Sequence, residues 1–369
     1  MKNELAALPP QRDGLEDEMT PRERWLAVLR RRKPDRVPMD YWGTAEVTDS
    51  LMRYLVCRSR KELYERLHID AVITVSPKYI GPPVPEDSDI YGCRYRSIRY
   101  GGGVYRECVY HQLAEYKTLR EIKEKYEWPT VDLFDYTVIP DQIDGYEDYP
   151  ILGGGSEPFL IYKDLRGQKQ AYIDLIMNPD IVHYCLDKLF DFCYENTKLI
   201  YEQNPGKIML SYVAEDFGSQ IGLLYSPKHR EFFLPRMKRM IDLAHHHGVY
   251  VFFHSDGAIR EIISDMIEAG IDVLNPIQWR CKGMDRGGLK RDFGSKIIFH
   301  GGVDNQYTLP FGSEEDVRRE VRDNIRILGW NGGYVLAPCH NIQPITSIKN
   351  ILAMYDEGYK YGKYFGANI

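Results

Sequence analysis

Apolar and polar positions alternate along this chain in two rhythms. Short runs rich in branched residues read as strands, and longer stretches with apolar residues every three or four positions read as helices. Eight runs are strand-like: Val37 to Tyr41, Ala71 to Val75, Ile151 to Gly154, Ile208 to Val213, Val249 to Phe253, Val273 to Pro276, Ile297 to Phe299 and Tyr334 to Ala337. Helical segments separate most of them. One opens at Asn178-Pro179-Asp180, a second at Ser226-Pro227, a third spans Ile259 to Ala269, a fourth opens at Ser313-Glu314, and the last runs from Thr346 to about Gly362. Strands alternating with helices predict a parallel sheet, and eight of them predict a closed α/β architecture, the (β/α)8 or TIM barrel.

Two departures decorate that plan. Thr20-Pro21-Arg22-Glu23 is a capping box with proline at the first helical position, so an N-terminal helix should run to about Arg32. Residues 81 to 149 form a loop excursion, in which two Tyr- and Arg-rich runs flank Gly101-Gly102-Gly103 as a β-hairpin, with a short helix from Leu119 to Tyr126. Residues 1–19 read as a mobile acidic tail and 20–369 as one barrel domain.

Composition then excludes several classes. The formal charge is −6 with no basic block, which disfavours nucleic acid as a partner. No apolar window approaches the ~20 residues of a membrane span, and the first 19 residues lack a secretory core. Seven cysteines without a CxxC pair suggest reduced thiols and a cytoplasmic location. A homo-oligomer is compatible with all of this.

In such a barrel, chemistry gathers where strands end. The run Val251-Phe252-Phe253 stops in His254-Ser255-Asp256-Gly257. Strand side chains alternate between faces, so His254 and Asp256 share one. Other strand ends carry Glu215-Asp216, Asp304 and Cys339-His340. Several buried carboxylates are costly unpaired, so a metal is the economical explanation. Zinc accepts His, Cys and carboxylate ligands, and His254, Asp256 and Cys339 could supply three, with Glu215 as a fourth or as a neighbouring group. The plainer alternatives are a hydrogen-bonded His–Asp pair and an ordinary core thiol. Asp304 is a catalytic, substrate-facing carboxylate or a turn residue. His340 contacts substrate or caps the final loop, while Tyr41, Trp42 and Phe217 stack on an aromatic substrate or fill the core. Gly153-Gly154-Gly155 precedes no phosphate-loop lysine, so close backbone packing is its expected use.

Several segments carry a family resemblance. Arg24-Trp25-Leu26-Ala27 leading to Arg36-Val37-Pro38, then Trp128-Pro129, the block Glu215 to Leu224 with Ser226-Pro227, and Cys339-His340-Asn341-Ile342-Gln343-Pro344 resemble uroporphyrinogen decarboxylase-like proteins over residues 20 to 363. One branch of that superfamily, the decarboxylases proper, takes a substrate with eight carboxylates. Such a substrate demands cationic strand ends, and the ends here are acidic. The other branch contains corrinoid-dependent zinc methyltransferases, whose hallmark is His-x-Cys on one strand and a distant Cys. Here His254 and Cys339 fall on the hallmark positions, and Asp256 replaces the middle Cys. The resemblance implies zinc, and a corrinoid (cobalamin) carried by a partner protein. A harder oxygen ligand implies a substrate methylated on oxygen, such as a methoxylated aromatic, whose methyl group would pass to the Co(I) corrinoid. Glu215 could then relay a proton to the released oxygen. The alternatives are transfer from methyl-corrinoid to a thiol or pterin, a uroporphyrinogen-type decarboxylase, and a non-catalytic partner of a corrinoid protein.

Overall fold

An apolar strand followed by an amphipathic helix can bury both of its faces when the sheet curls on itself with the helices outside. The computed structural model, which describes residues 17–100, 103–224 and 229–367, has this form. Besides a two-residue antiparallel pair, Lys78–Tyr79 with Phe134–Asp135, its strands are β1 (Ile73–Val75), the ribbon β2 (Arg94–Tyr100) and β3 (Gly103–Tyr110), then β4 (Ile151–Ser156), β5 (Leu210–Ala214), β6 (Tyr250–His254), β7 (Val273–Asn275), β8 (Ile298–Val303) and β9 (Tyr334–Pro338). The seven labelled strands outside the ribbon form one parallel sheet in the order β1-β4-β5-β6-β7-β8-β9.

The first expected strand closes the ring. Met39 bridges Leu336 of β9 in parallel, with Leu336 N–H donating to Pro38 O at 2.9 Å and Asp40 N–H to Leu336 O at 2.9 Å. On the other side, Asp70 N–H donates to Met39 O at 2.6 Å, just ahead of β1. All eight expected strand positions are therefore present. The expected hairpin is β2 paired antiparallel with β3. Leu119–Lys125 is helical as expected. Two helices that the pattern reading passed over, Ala45–Leu55 and Arg60–Arg66, precede β1. Residues 1–16 of the expected acidic tail, and the expected helix start at Ser226-Pro227, lie outside the described residues. Among the described residues, no helix is long and apolar enough to cross a membrane.

Two apolar layers result. Leu210, Phe252, Val273, Ile298 and Val335 fill the barrel interior, and a larger layer packs between strands and helices. Helix α1 (Pro21–Leu29) starts at the expected capping box and inserts the fully buried Trp25 into the interior layer, with its indole N–H donating to Asp70 O at 2.8 Å. Beside it lies an ion cluster that also joins the ends of the closing strand. Asp70, fully buried, accepts from Arg24, from Arg36 Nη1 at 2.7 Å and from Met39 N–H at 2.9 Å. Arg24 and Arg36 are themselves buried and are shared with Asp35 and Asp17. Burial pushes the Asp17 carboxyl up, but the hydrogen bonds and charges of Arg36 and Arg24 outweigh it and hold the group at about 2.

Breaking a buried ionic cluster on one side strands the opposite charges, which costs about 3–5 kcal/mol. Asp70→Asn should therefore lower the free energy of urea unfolding by that amount. A loss under about 1 kcal/mol, the range of exposed pairs, would show that the cluster does not hold α1 and Trp25 in place.

Candidate metal centre

Register brings the site together. In the β5–β6 pair Ala214 stands opposite His254, so Asp216, two residues past Ala214, comes level with Asp256, two residues past His254. The loops that follow touch at two glycines. A Cβ on Gly218 would lie 2.4 Å from Asp256 O, and one on Gly257 (φ +88°) would lie 2.5 Å from the Gly218 carbonyl carbon. Side chains at either place would push the loops apart.

One ligand atom each from Asp216, His254 and Asp256 lie within 4.8 Å of one another. His254 Nε2 is 3.8 Å from Asp216 Oδ1, which also accepts the Asp256 N–H at 3.2 Å. Asp256 Oδ1 is buried and has no hydrogen-bond partner among the described residues. Burial pushes the Asp256 carboxyl up, the His254 ring pulls it down, and the Asp216 charge pushes it up again. A buried carboxylate oxygen without a donor, next to a second carboxylate, is stabilised by a cation.

The surroundings are aromatic and acidic. Trp42 stacks on His254 with ring centroids 5.7 Å apart and planes 25° apart, and Tyr212 approaches the same ring at 5.7 Å. Glu157 stands at the N-cap of helix α2 (Pro158–Arg166). Burial raises its carboxyl, the His254 ring lowers it, and the Asp216 and Asp256 charges raise it further.

Of the residues expected from sequence, the structure gathers His254, Asp256 and Trp42, with His340 close enough for its charge to act on Asp256. The others sit elsewhere. Glu215, expected as ligand or proton relay, points away from Asp216 as strand alternation requires. It is 1% exposed and accepts the Phe159 N–H of α2 at 3.0 Å, which places a carboxyl on the positive end of that helix. Burial holds it well above the usual carboxylate range. Cys339 is buried, its thiol directed at Ile277 O at 3.3 Å and pushed well up by burial, outside the three-residue group. Asp304 accepts the N–H groups of Gln306, Tyr307 and Thr308 and the Arg280 Nε–H at 2.6 Å, so its oxygens serve a turn and an ion pair. Tyr41 bonds Thr48 at 2.9 Å and packs on Tyr64 and Tyr355, away from His254. Phe217 is 1% exposed against Phe233. The glycines do pack closely: a Cβ on Gly155 would meet Tyr212 O at 1.8 Å.

Sequence reasoning missed Asp216, Glu157 and Tyr212. Asp216 was visible as one of two adjacent carboxylates at a strand end. Choosing between them requires the phase of β5, which Leu210-Ser211-Tyr212-Val213-Ala214 leaves open because both faces are buried. The donors actually present, one imidazole nitrogen and two carboxylates, are a set that zinc accepts, and three protein ligands leave a position for substrate.

Three comparisons bear on this geometry. A family model described as uroporphyrinogen decarboxylase (URO-D) matches residues 20–361. Among solved structures, a methyltransferase from Methanosarcina mazei is similar with TM-score 0.68 at 19% identity, covering 93% of this chain and 99% of that one. A xylanase B from Clostridium stercorarium F9 covers 62% of this chain and 85% of that one, with TM-score 0.39 at 9% identity. No curated protein matches the sequence. The first likeness confirms the barrel, and the second is too slight to carry an argument. The family match extends from the capping box of α1 into the last helix (Ile348–Ala367), and on it this chain belongs to the uroporphyrinogen decarboxylase family.

Proposed function

We propose that this protein is a zinc-dependent methyltransferase that takes a methyl group from oxygen, as in an aromatic methyl ether, and passes it to the Co(I) corrinoid of a partner protein. The observation that carries the reading is the Asp216–His254–Asp256 group with its unpartnered Asp256 oxygen at the end of β6. The likeness to a methyltransferase barrel and the family match support the reaction class, and the family resemblance supports the corrinoid acceptor.

In the reaction the methyl carbon–oxygen bond breaks with its electron pair staying on oxygen, and the methyl group is received by an acceptor that supplies the new pair. Zinc held by Asp216, His254 and Asp256 would supply a Lewis acid for the charge developing on that oxygen. Oxygen ligands make this a hard site, suited to an oxygen substrate rather than a thiolate. Trp42 and Tyr212 set aromatic rings against His254, and a flat substrate would find aromatic neighbours there. On this reading Glu157, which feels the His254, Asp216 and Asp256 charges, would deliver the proton that the released oxygen takes, whereas Glu215 serves a helix start. The acidic surroundings also weigh against a polycarboxylate substrate, and hence against decarboxylation of a uroporphyrinogen.

Two outcomes are expected. Anaerobically purified protein should hold about one zinc per chain on this reading, and Asp216→Ala and Asp256→Ala should lose it while Cys339→Ala keeps it. Mass spectrometry for metal content decides this, and zinc retained in both carboxylate variants would contradict it. With a methoxybenzoate and Co(I) cobalamin, wild type should release the phenol, and Asp256→Ala should fall by more than about 100-fold, beyond the range seen for groups that merely orient a ligand. Methylation of a thiol or pterin from methylcobalamin, with the ether inert, would establish the main alternative instead.

A further inference from the structure

Behind His254 runs a chain of buried polar groups to which neither the family match nor the structural likeness assigns a role. Asp40, Asn275 and His300 are at most 1% exposed. Asp40 Oδ1 accepts the Tyr41 N–H at 2.8 Å and the Val72 N–H at 3.0 Å. Its Oδ2 accepts the Trp42 Nε1–H at 2.9 Å and lies 3.0 Å from His300 Nε2. Three donors that are N–H groups by covalent structure thus point at this carboxyl, which makes it an acceptor. His300 must then present Nε2–H to it. His300 Nδ1 lies 2.7 Å from Asn275 Nδ2, and Asn275 Oδ1 lies 2.6 Å from His254 Nδ1.

With Asp40 as a carboxylate, a single assignment satisfies every contact without charging either ring. His300 Nε2–H donates to Asp40, Asn275 Nδ2–H donates to His300 Nδ1, and His254 Nδ1–H donates to Asn275 Oδ1. His254 Nε2 then carries its lone pair toward Asp216. The reversed chain, with the Asn275 amide flipped, turns His300 into an imidazolium beneath Trp25 and Phe252 and puts a proton on His254 Nε2, where it would block a metal. We propose that Asp40, His300 and Asn275 are positioning residues that hold His254 as the Nδ1–H tautomer, with Nε2 presented to Asp216 and Asp256. The inference deepens the zinc reading and rests on it for its purpose. The direction of the chain can be observed without any metal.

The test uses the metal-free full chain with 15N-labelled histidine, His254 and His300 being assigned from His254→Gln and His300→Gln. Long-range 15N–1H correlations should show His254 protonated at Nδ1 and His300 at Nε2. A proton on His254 Nε2 overturns the proposal. In parallel, Asn275→Leu, shown to be folded by its thermal transition, should bind zinc about 10–100-fold more weakly than wild type, and equal affinity overturns the proposal. If Asn275→Leu does not fold, the wild-type tautomers still decide. A wild type that shows the expected tautomers yet binds no zinc supports the chain and removes the zinc reading alone. Zinc bound by a wild type whose metal-free His254 is protonated at Nε2 removes the chain alone.

Discussion

Placing two half-buried carboxylates beside a buried imidazole is unfavourable unless something positive joins them, and much of this barrel is arranged around that constraint. Asp216 and Asp256 come level because β5 and β6 pair with Ala214 opposite His254. The loops beyond can touch because Gly218 and Gly257 meet where any side chain would intrude. Behind them, the Asp40–His300–Asn275 chain and the stacked Trp42 hold the His254 ring in place. At the opposite end, Trp25 fills the interior and the Asp70 cluster anchors it. The plug and the metal-ready ring are linked physically, since Trp25 also lies against His300 at 5.9 Å.

The barrel was largely legible in the sequence, because a strand buried on both faces must be a short apolar run and these runs recur between amphipathic helices. The capping box at Thr20 and the β2–β3 hairpin pairing were legible for local reasons. Helix Ala45–Leu55 was passed over although Thr44 caps it and Val47, Leu51 and Leu55 repeat every four residues. The site was half legible. His254 and Asp256 follow from alternation within one strand, whereas Asp216 depends on pairing between strands. Cys339 and Glu215 looked equivalent to Asp216 and Asp256 in one dimension, yet one thiol faces a carbonyl of the β7 loop and one carboxyl faces a helix start.

That difference governs the chemistry. A sulfur-rich zinc site holds and activates a thiolate, while a site of one imidazole and two carboxylates leaves the ion harder and more acidic toward oxygen. On the proposed function, Asp256 and Asp216 together would make this a site of the second kind, and a methyl group on oxygen is the substrate feature which that proposal assigns to it.

X-ray absorption at the zinc K-edge on the zinc-loaded protein tests this most directly. A first shell of nitrogen and oxygen alone, at about 2.0–2.2 Å, is what Asp216, His254 and Asp256 predict. A sulfur scatterer at about 2.3 Å would make Cys339 a ligand and contradict the hard-site account.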